Sequence, residues 1–107
     1  MIIQQYEKEV IMEYKIKRIT HSGTCGERGK DRTDDRYPLR IGRTVDLELD
    51  FVKPGLPLFL KYLKDSDGLD MPWKAIRTSH VVSVSTYDNI VRLETMNSIF
   101  EFEKGEN

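Results

Sequence analysis

The chain has 107 residues, of which 38% are hydrophobic and 33% charged, which suits one folded domain and excludes a disordered or two-domain protein. Its net charge is −1, and no apolar stretch approaches the roughly 20 residues of a membrane-spanning helix, so we expect no membrane partner. The single cysteine, Cys25, excludes an internal disulfide, and we therefore expect a cytoplasmic protein in a reducing environment.

The first eleven residues are predicted to lie outside the domain. Lys8-Glu9-Val10 can be encoded by a purine-rich stretch that matches a ribosome-binding sequence, and Met12 follows where a start codon belongs. Residues 1–11 would then be a translated leader, and residues 12–104 a single domain. Coincidence is the alternative, because Lys-Glu pairs are common. The physical prediction is that residues 1–11 add little to the core.

Short runs of β-branched and aromatic residues predict a mainly β domain. A first strand is expected over about residues 12–20, where apolar and charged residues alternate around Tyr14. The clearest period-two pattern covers residues 39–51 and predicts one long, half-buried strand. Arg43 is its one charged residue at an apolar position, and Gly42 beside it suggests a bend or bulge.

The second half of the chain predicts further short strands. Residues 58–63 suit a strand with Leu58, Leu60 and Tyr62 on one face, although a helical face is the alternative. More strands are expected at 75–85, 90–95 and 99–103. Five or six short antiparallel strands predict a small barrel, SH3-like because a large loop separates the first two strands, with an OB-like barrel as the alternative. We expect a monomer, or a homodimer through an edge strand at 99–103.

A long loop is predicted over residues 21–37, because the stretch from His21 to Arg36 has three glycines, alternating charges and no apolar residue except Cys25. Residues 15–43 hold nine Lys/Arg and four acids, a charge of +5, against −6 elsewhere. Small barrels bind single-stranded nucleic acid through a basic groove and aromatic side chains. The candidate nucleic-acid-binding residues are Lys15, Lys17, Arg28, Lys30, Arg32, Arg36, Tyr37 and Arg40.

The sequence predicts no catalytic, metal or cofactor site. A structural zinc site needs about four Cys/His ligands, and Cys25, His21 and His80 are too few. A Cys25–His21 pair also lacks the third group that would orient it as a nucleophile. Residues 65–70 are acidic but lack the remaining ligands of a calcium-binding loop. We therefore expect a protein that is not an enzyme.

The C-terminal third contains Thr78-Ser79-x-Val81 followed by Thr95-x-Asn97-Ser98-x-Phe100. The hydroxyl and amide side chains in this pattern can bond the neighbouring backbone and bridge a strand corner. The pattern, over about residues 74–103, resembles short uncharacterised proteins of Firmicutes, some of them on mobile elements. The resemblance implies a bacterial, cytoplasmic small β-domain and carries no activity with it.

Two functions follow from these features. The leading hypothesis is a non-enzymatic adaptor module that binds a protein partner through the long loop and an adjoining barrel face. It predicts that deleting residues 23–34 leaves folding intact. The alternative is a nucleic-acid-binding barrel that uses the basic region 15–43, with an affinity that falls steeply as salt increases.

Overall fold

The computed structural model describes residues 11–72 and 74–105, and this part of the chain is mainly β, as predicted. Its strands form one antiparallel sheet in the order β4-β3-β2-β1-β7-β6-β5. The strands are β1 (Glu13–His21), β2 (Thr44–Asp46), β3 (Phe59–Lys64), β4 (Ala75–Arg77), β5 (Val81–Tyr87), β6 (Ile90–Thr95) and β7 (Ser98–Lys104). The described residues also contain one α-helical turn, α1 (Tyr37–Arg40), and one 3-10 turn (Leu49–Phe51). The predicted leader lies outside the described residues, apart from the exposed Ile11.

In β3 the core lies on the face of the sheet that the apolar alternation predicts. Strand β3 buries Leu60 and Tyr62, as expected from the strand interpretation of this segment. The central strand β7 contributes Phe100 and Phe102, which are at most 2% exposed and stack with ring centroids 5.7 Å apart. Each buried aromatic ring of this kind stabilises the fold by about 1.5–3 kcal/mol.

The prediction of one long strand over residues 39–51 is wrong. Residues 37–40 form the turn of α1 instead, because Pro38 has a fixed φ that suits a first helical turn. Gly42 follows with a φ of 91°, a conformation that interrupts an extended chain. Only the three residues of β2 then pair with β1.

The strand predicted over residues 75–85 is two strands, β4 and β5, joined by a corner of three residues, 78–80. Thr78 holds this corner, because its Oγ1 accepts the Leu58 N–H at 3.0 Å and donates to the Ser79 carbonyl at 2.7 Å. β4 pairs with β3 and β5 pairs with β6, so the two strands form the two edges of the sheet. Among the described residues no ladder joins β4 to β5, and the sheet is not closed into a barrel.

The prediction that residues 99–103 form an edge strand is also wrong. These residues belong to β7, which pairs with β1 on one side and with β6 on the other. Both rows of its backbone hydrogen-bonding groups are therefore engaged within the chain. A homodimer through an edge strand would have to use β4 or β5.

The long loop folds back onto the sheet through the guanidinium of Arg32, which is only 7% exposed. Its Nη1 donates to the Asn97 carbonyl at 3.0 Å and to Ser98 Oγ at 2.9 Å. Its Nε and Nη2 donate to the two carboxylate oxygens of Asp34 at 3.2 and 2.6 Å. The loop is therefore anchored to the turn between β6 and β7, far away in the sequence.

The turn between β6 and β7 is held by the C-terminal sequence pattern. Thr95 Oγ1 donates to the Ser98 carbonyl at 3.2 Å and accepts the Ser98 N–H at 3.1 Å. The Asn97 N–H donates to Ser79 Oγ at 3.1 Å, which connects this turn to the 78–80 corner. The predicted backbone bonding is confirmed for the hydroxyls of Thr78 and Ser79. The side chains of Asn97 and Ser98 differ from the prediction, because they accept from Thr24 Oγ1 and from Arg32 instead.

Replacing Arg32 by Ala is expected to lower the free energy of unfolding by about 3 kcal/mol, because it removes the donor of the buried Ser98 hydroxyl and of the half-buried Asn97 carbonyl. Urea denaturation would measure this loss. The control Lys30→Ala, at a side chain 68% exposed in the same loop, should change the value by less than about 0.5 kcal/mol. Equal effects would contradict the anchoring role of Arg32.

We likewise expect deletion of residues 23–34, which the sequence predicts to be tolerated, to destabilise the sheet.

Candidate functional site

The eight residues predicted to bind nucleic acid are dispersed in the structure. Lys15 and Lys17 are exposed on β1, and Lys17 Nζ lies 3.4 Å from Glu103 of β7. Lys30 Nζ lies 3.9 Å from Glu27 within the loop. These three cations line neither a common cavity nor the cleft described below. The basic region of the sequence is therefore not one basic surface.

Two loop arginines are engaged by carboxylates. The Arg28 guanidinium donates to both oxygens of Glu94 at 2.7 Å, the fork-to-fork geometry that suits this ion pair. These hydrogen bonds hold the pKa of Glu94 below its ordinary value. Arg32 is buried against Asp34 as described above. Both arginines hold the loop in place, and their charges are neutralised within the chain.

The remaining predicted residues, Arg36, Tyr37 and Arg40, lie together at one end of the loop. Arg36 and Arg40 converge with Arg43 and Lys74 around an open cleft of about 430 Å³. The other residues that line it are Leu39, Tyr62, Met71 and Ala75, and none of the eight is acidic. We call this feature the basic cleft.

The turn after α1 places two of these arginines. The Arg43 N–H donates to the Arg40 carbonyl at 3.2 Å, and this hydrogen bond closes the turn. The Gly42 N–H donates to the Ile16 carbonyl at 2.8 Å, and the Ile16 N–H donates to the Arg43 carbonyl at 2.9 Å. A Cβ on Gly42 would lie 3.2 Å from Ser66 Cβ. The positive φ and this close approach both favour glycine, and the two hydrogen bonds with Ile16 fix the turn against β1.

Two guanidinium groups of the basic cleft lie over tyrosine rings. Arg40 Cζ is 4.6 Å from the ring centroid of Tyr37, and Arg43 Cζ is 4.8 Å from that of Tyr62. This stacking restricts the guanidinium groups, so they lose less freedom when they bind an anion. Tyr37 is also contacted by Arg32, at 4.0 Å, so its ring is occupied by the protein's own cations. The guanidinium planes, more than the tyrosine rings, are available to stack on a ligand.

The cations of the basic cleft have no carboxylate partner in the described part of the chain. Within residues 11–72 and 74–105, no carboxylate lies within 4.0 Å of the charged nitrogens of Arg36, Arg40, Arg43 or Lys74. Lys74 is brought to the site by β3, because its carbonyl accepts the Tyr62 N–H at 3.0 Å. Four cations that find no carboxylate among the described residues are suited to bind an anionic ligand with more than one negative group.

Two of these four cations are missing from the sequence prediction. Arg43 had a detectable signal, because it is the one charged residue at an apolar position of the 39–51 pattern. Lys74 had none, since only the pairing of β3 with β4 brings it beside α1. The prediction therefore contained the loop side of the cleft and lacked its strand side.

Neither a metal-binding cluster nor a membrane-spanning helix occurs in the described part of the chain. No group of three His, Cys, Asp or Glu side chains there could hold a metal ion. No helix there is long and apolar enough to cross a membrane. Cys25 is exposed in the loop with a free thiol.

The ion pair of Asp34 predicts a pH dependence of stability. The hydrogen bonds from Arg32 hold the pKa of Asp34 below its ordinary value of 3.8, so the folded state favours the carboxylate. This stabilisation is present at neutral pH and is lost as the pH falls through the lowered pKa. We expect Asp34→Asn to lower the Tm at neutral pH and to lower it less at about pH 3.

Thermal unfolding followed by circular dichroism at the two pH values would measure this. The control is Asp35→Asn, because Asp35 is exposed with a φ of 51° and asparagine tolerates that conformation. A Tm difference for Asp34→Asn of the same size at both pH values would show that the charge of Asp34 is irrelevant.

Comparison of the chain with family models finds no match, and neither do the comparisons with curated proteins and with solved structures. The resemblance of the C-terminal pattern to Firmicutes proteins therefore stays a prediction.

Proposed function

We propose that this protein is a non-enzymatic module that binds single-stranded nucleic acid through the basic cleft. The observation that carries the proposal is the convergence of Arg36, Arg40, Arg43 and Lys74 on one cleft with no acidic lining residue. Arginine forks and lysine ammonium groups are the usual partners of backbone phosphates.

The shape of the basic cleft favours a single strand over a duplex. Its cations lie around one opening of about 430 Å³, whereas Lys15 and Lys17 line separate depressions. A duplex presents phosphates along both strands and is bound by a longer charged surface. A single strand can place successive phosphates on the four cations and stack a base on the guanidinium group of Arg40 or Arg43.

We also propose which class of β-fold the sheet belongs to. We infer an SH3-like barrel, with the OB-like barrel as the alternative, because the two edge strands are consecutive and joined by one short corner. Support comes from the backbone of Val81, which accepts from the Gly55 N–H at 2.8 Å and donates to the Leu56 carbonyl at 2.9 Å. These bonds bring the segment before β3 beside the start of β5.

Protein binding is the second candidate function, and a different surface supports it. The 21–37 loop is held by intramolecular contacts, but Phe51 and Phe59 are 70% and 66% exposed and line one shallow groove. Large exposed aromatic side chains that lie together are typical of protein interfaces. An adaptor function would therefore use the Phe51–Phe59 groove and leave the basic cleft free.

Fluorescence anisotropy with a labelled, mixed-sequence single-stranded DNA tests the first candidate. We expect the logarithm of the affinity to fall with the logarithm of the salt concentration with a slope of up to about −3, since each neutralised phosphate contributes about −0.7. Arg43→Glu and Arg36→Glu should each weaken binding at least tenfold, because they reverse a charge in the cleft.

The matched controls are Lys15→Glu and Lys17→Glu, which make the same charge change on exposed β1 positions outside the basic cleft. They should weaken binding less than threefold. Equal losses of affinity in all four variants would show that only the net charge matters, and would overturn the basic cleft as the binding site. Phe59→Ser should leave DNA binding unchanged, which separates the two candidate surfaces. Circular dichroism of each variant verifies that the fold is intact.

A further inference from the structure

The groove that Phe51 and Phe59 line adjoins a second shallow depression. The Phe51–Phe59 groove has a volume of about 160 Å³ and the second depression one of about 220 Å³, and Glu48 lines both. Leu49 and Asp50 also line the second depression. A site for a small molecule typically encloses about 300–1,000 Å³. Two adjoining shallow depressions instead suit successive side chains of a bound polypeptide segment.

The backbone holds two aromatic side chains at this surface although the core does not use them. The Phe51 N–H donates to the Glu48 carbonyl at 3.0 Å, and this hydrogen bond closes the 3-10 turn that leaves Phe51 70% exposed. Phe59 is 66% exposed because it precedes the buried Leu60 on β3 and therefore points to the opposite face of the sheet. A partner that covers these two rings gains the free energy of their burial.

Carboxylates surround these apolar side chains. Asp46 and Glu48 line the Phe51–Phe59 groove, and Asp50 lines the adjoining depression. Among the described residues that line either depression, these three carboxylates stand against one ammonium, that of Lys61, a net charge of −2. No Lys or Arg nitrogen of residues 11–72 and 74–105 lies within 4.0 Å of the three carboxylates. Their field repels nucleic acid and anionic membranes and attracts Lys and Arg side chains.

The aromatic rings themselves favour a cationic partner. Arg77 of β4 lies with its Cζ 5.5 Å from the ring centroid of Phe59, although Arg77 lines neither depression. This contact shows that the Phe59 ring can hold a guanidinium group against its π-face. The Phe51 ring is exposed enough to accept a similar contact from a partner. A segment that carries both apolar and cationic side chains therefore finds a complement for each of them here.

We propose that the Phe51–Phe59 groove and the adjoining depression bind a segment of a partner protein that combines apolar side chains with Lys or Arg. This inference rests on the protein-binding function, the second candidate above, and assigns a chemistry to its partner. The apolar side chains of the segment cover Phe51 and Phe59, and its cations lie beside Glu48 and Asp50. The charges select the partner and speed its association, while apolar burial supplies most of the affinity.

Amide NMR shifts of the full chain, recorded during a titration with the synthetic peptide Gly-Lys-Leu-Ser-Lys-Leu-Gly-Lys, test the proposal. One matched control peptide has glutamate in place of each lysine, and the other has serine in place of each leucine. We expect the first peptide to bind about tenfold more tightly than either control, because each control removes one of the two complementary features. The shifts should centre on residues 46–51 and 59–61. Equal binding of the three peptides, or shifts centred elsewhere, overturns the proposal.

Two variants at exposed positions locate the binding surface. Phe51→Ser should weaken binding of the lysine–leucine peptide about tenfold, because it removes an aromatic ring from the contact. Its control Leu69→Ser, at a side chain 65% exposed in the β3–β4 connection, should have no effect. Asp50→Lys should weaken binding by a similar factor through its reversed charge, whereas Asp67→Lys, at another exposed acid, should not. Losses of equal size in the variants and their controls would contradict the assignment of this surface.

The same variants separate this inference from nucleic-acid binding. Arg43→Glu should weaken binding of single-stranded DNA and leave peptide binding unchanged, whereas Phe51→Ser should have the opposite effects. A chain that binds DNA but not the lysine–leucine peptide overturns this inference and leaves the basic cleft in place. Sedimentation velocity without peptide tests a second copy as the occupant. A dimer that Phe51→Ser dissociates would overturn the proposal in favour of self-association.

Discussion

The buried guanidinium of Arg32 is the interaction on which the arrangement of this molecule depends. It is the buried contact between a long polar loop, without a core of its own, and the turn between β6 and β7, to which Ser22 and Thr24 also donate hydrogen bonds. A buried arginine is tolerated only when its donors are satisfied, and here a carboxylate, a carbonyl and a hydroxyl accept them. The loop therefore has one favourable path over the sheet. That path ends at Tyr37, against which the same guanidinium packs at 4.0 Å.

The position of Tyr37 carries this constraint to the basic cleft. Arg32 contacts the tyrosine ring, and Arg40 stacks on it from within α1, so an internal cation and a cleft cation share one aromatic partner. Gly42 then returns the chain to β1 and sets Arg43 over Tyr62. The charge of the loop is consequently divided between arginines that anchor the backbone and arginines that face solvent. A substitution of Arg32 should therefore alter the geometry of the basic cleft, although Arg32 does not line the cleft.

Each sequence pattern reflects one physical property, and it predicts only those features of the fold and of the basic cleft that depend on this property. Alternation measures burial, so the buried face of β3 was predicted correctly. Alternation does not show whether a strand is continuous. Leu39 and Phe51 fit the alternation of residues 39–51, yet both side chains are exposed and Gly42 interrupts the extended chain between them. Charge counting similarly located the basic region but could not show which cations have partners. Arg28 pairs with Glu94, a residue 66 positions away, and that contact exists only once β6 is folded.

The way polar groups are satisfied separates the residues that build the fold from those available for binding. Thr78, Thr95 and Ser98 are buried hydroxyls at sheet corners, and each forms hydrogen bonds with the backbone there or with Arg32. Their polarity is accounted for by the architecture, because a corner exposes backbone groups that the ladder no longer bonds. The cations of the basic cleft have no such internal explanation. They converge without a carboxylate partner among the described residues, although like charges repel one another, so a ligand that carries negative charge is the simplest physical reason for placing them together.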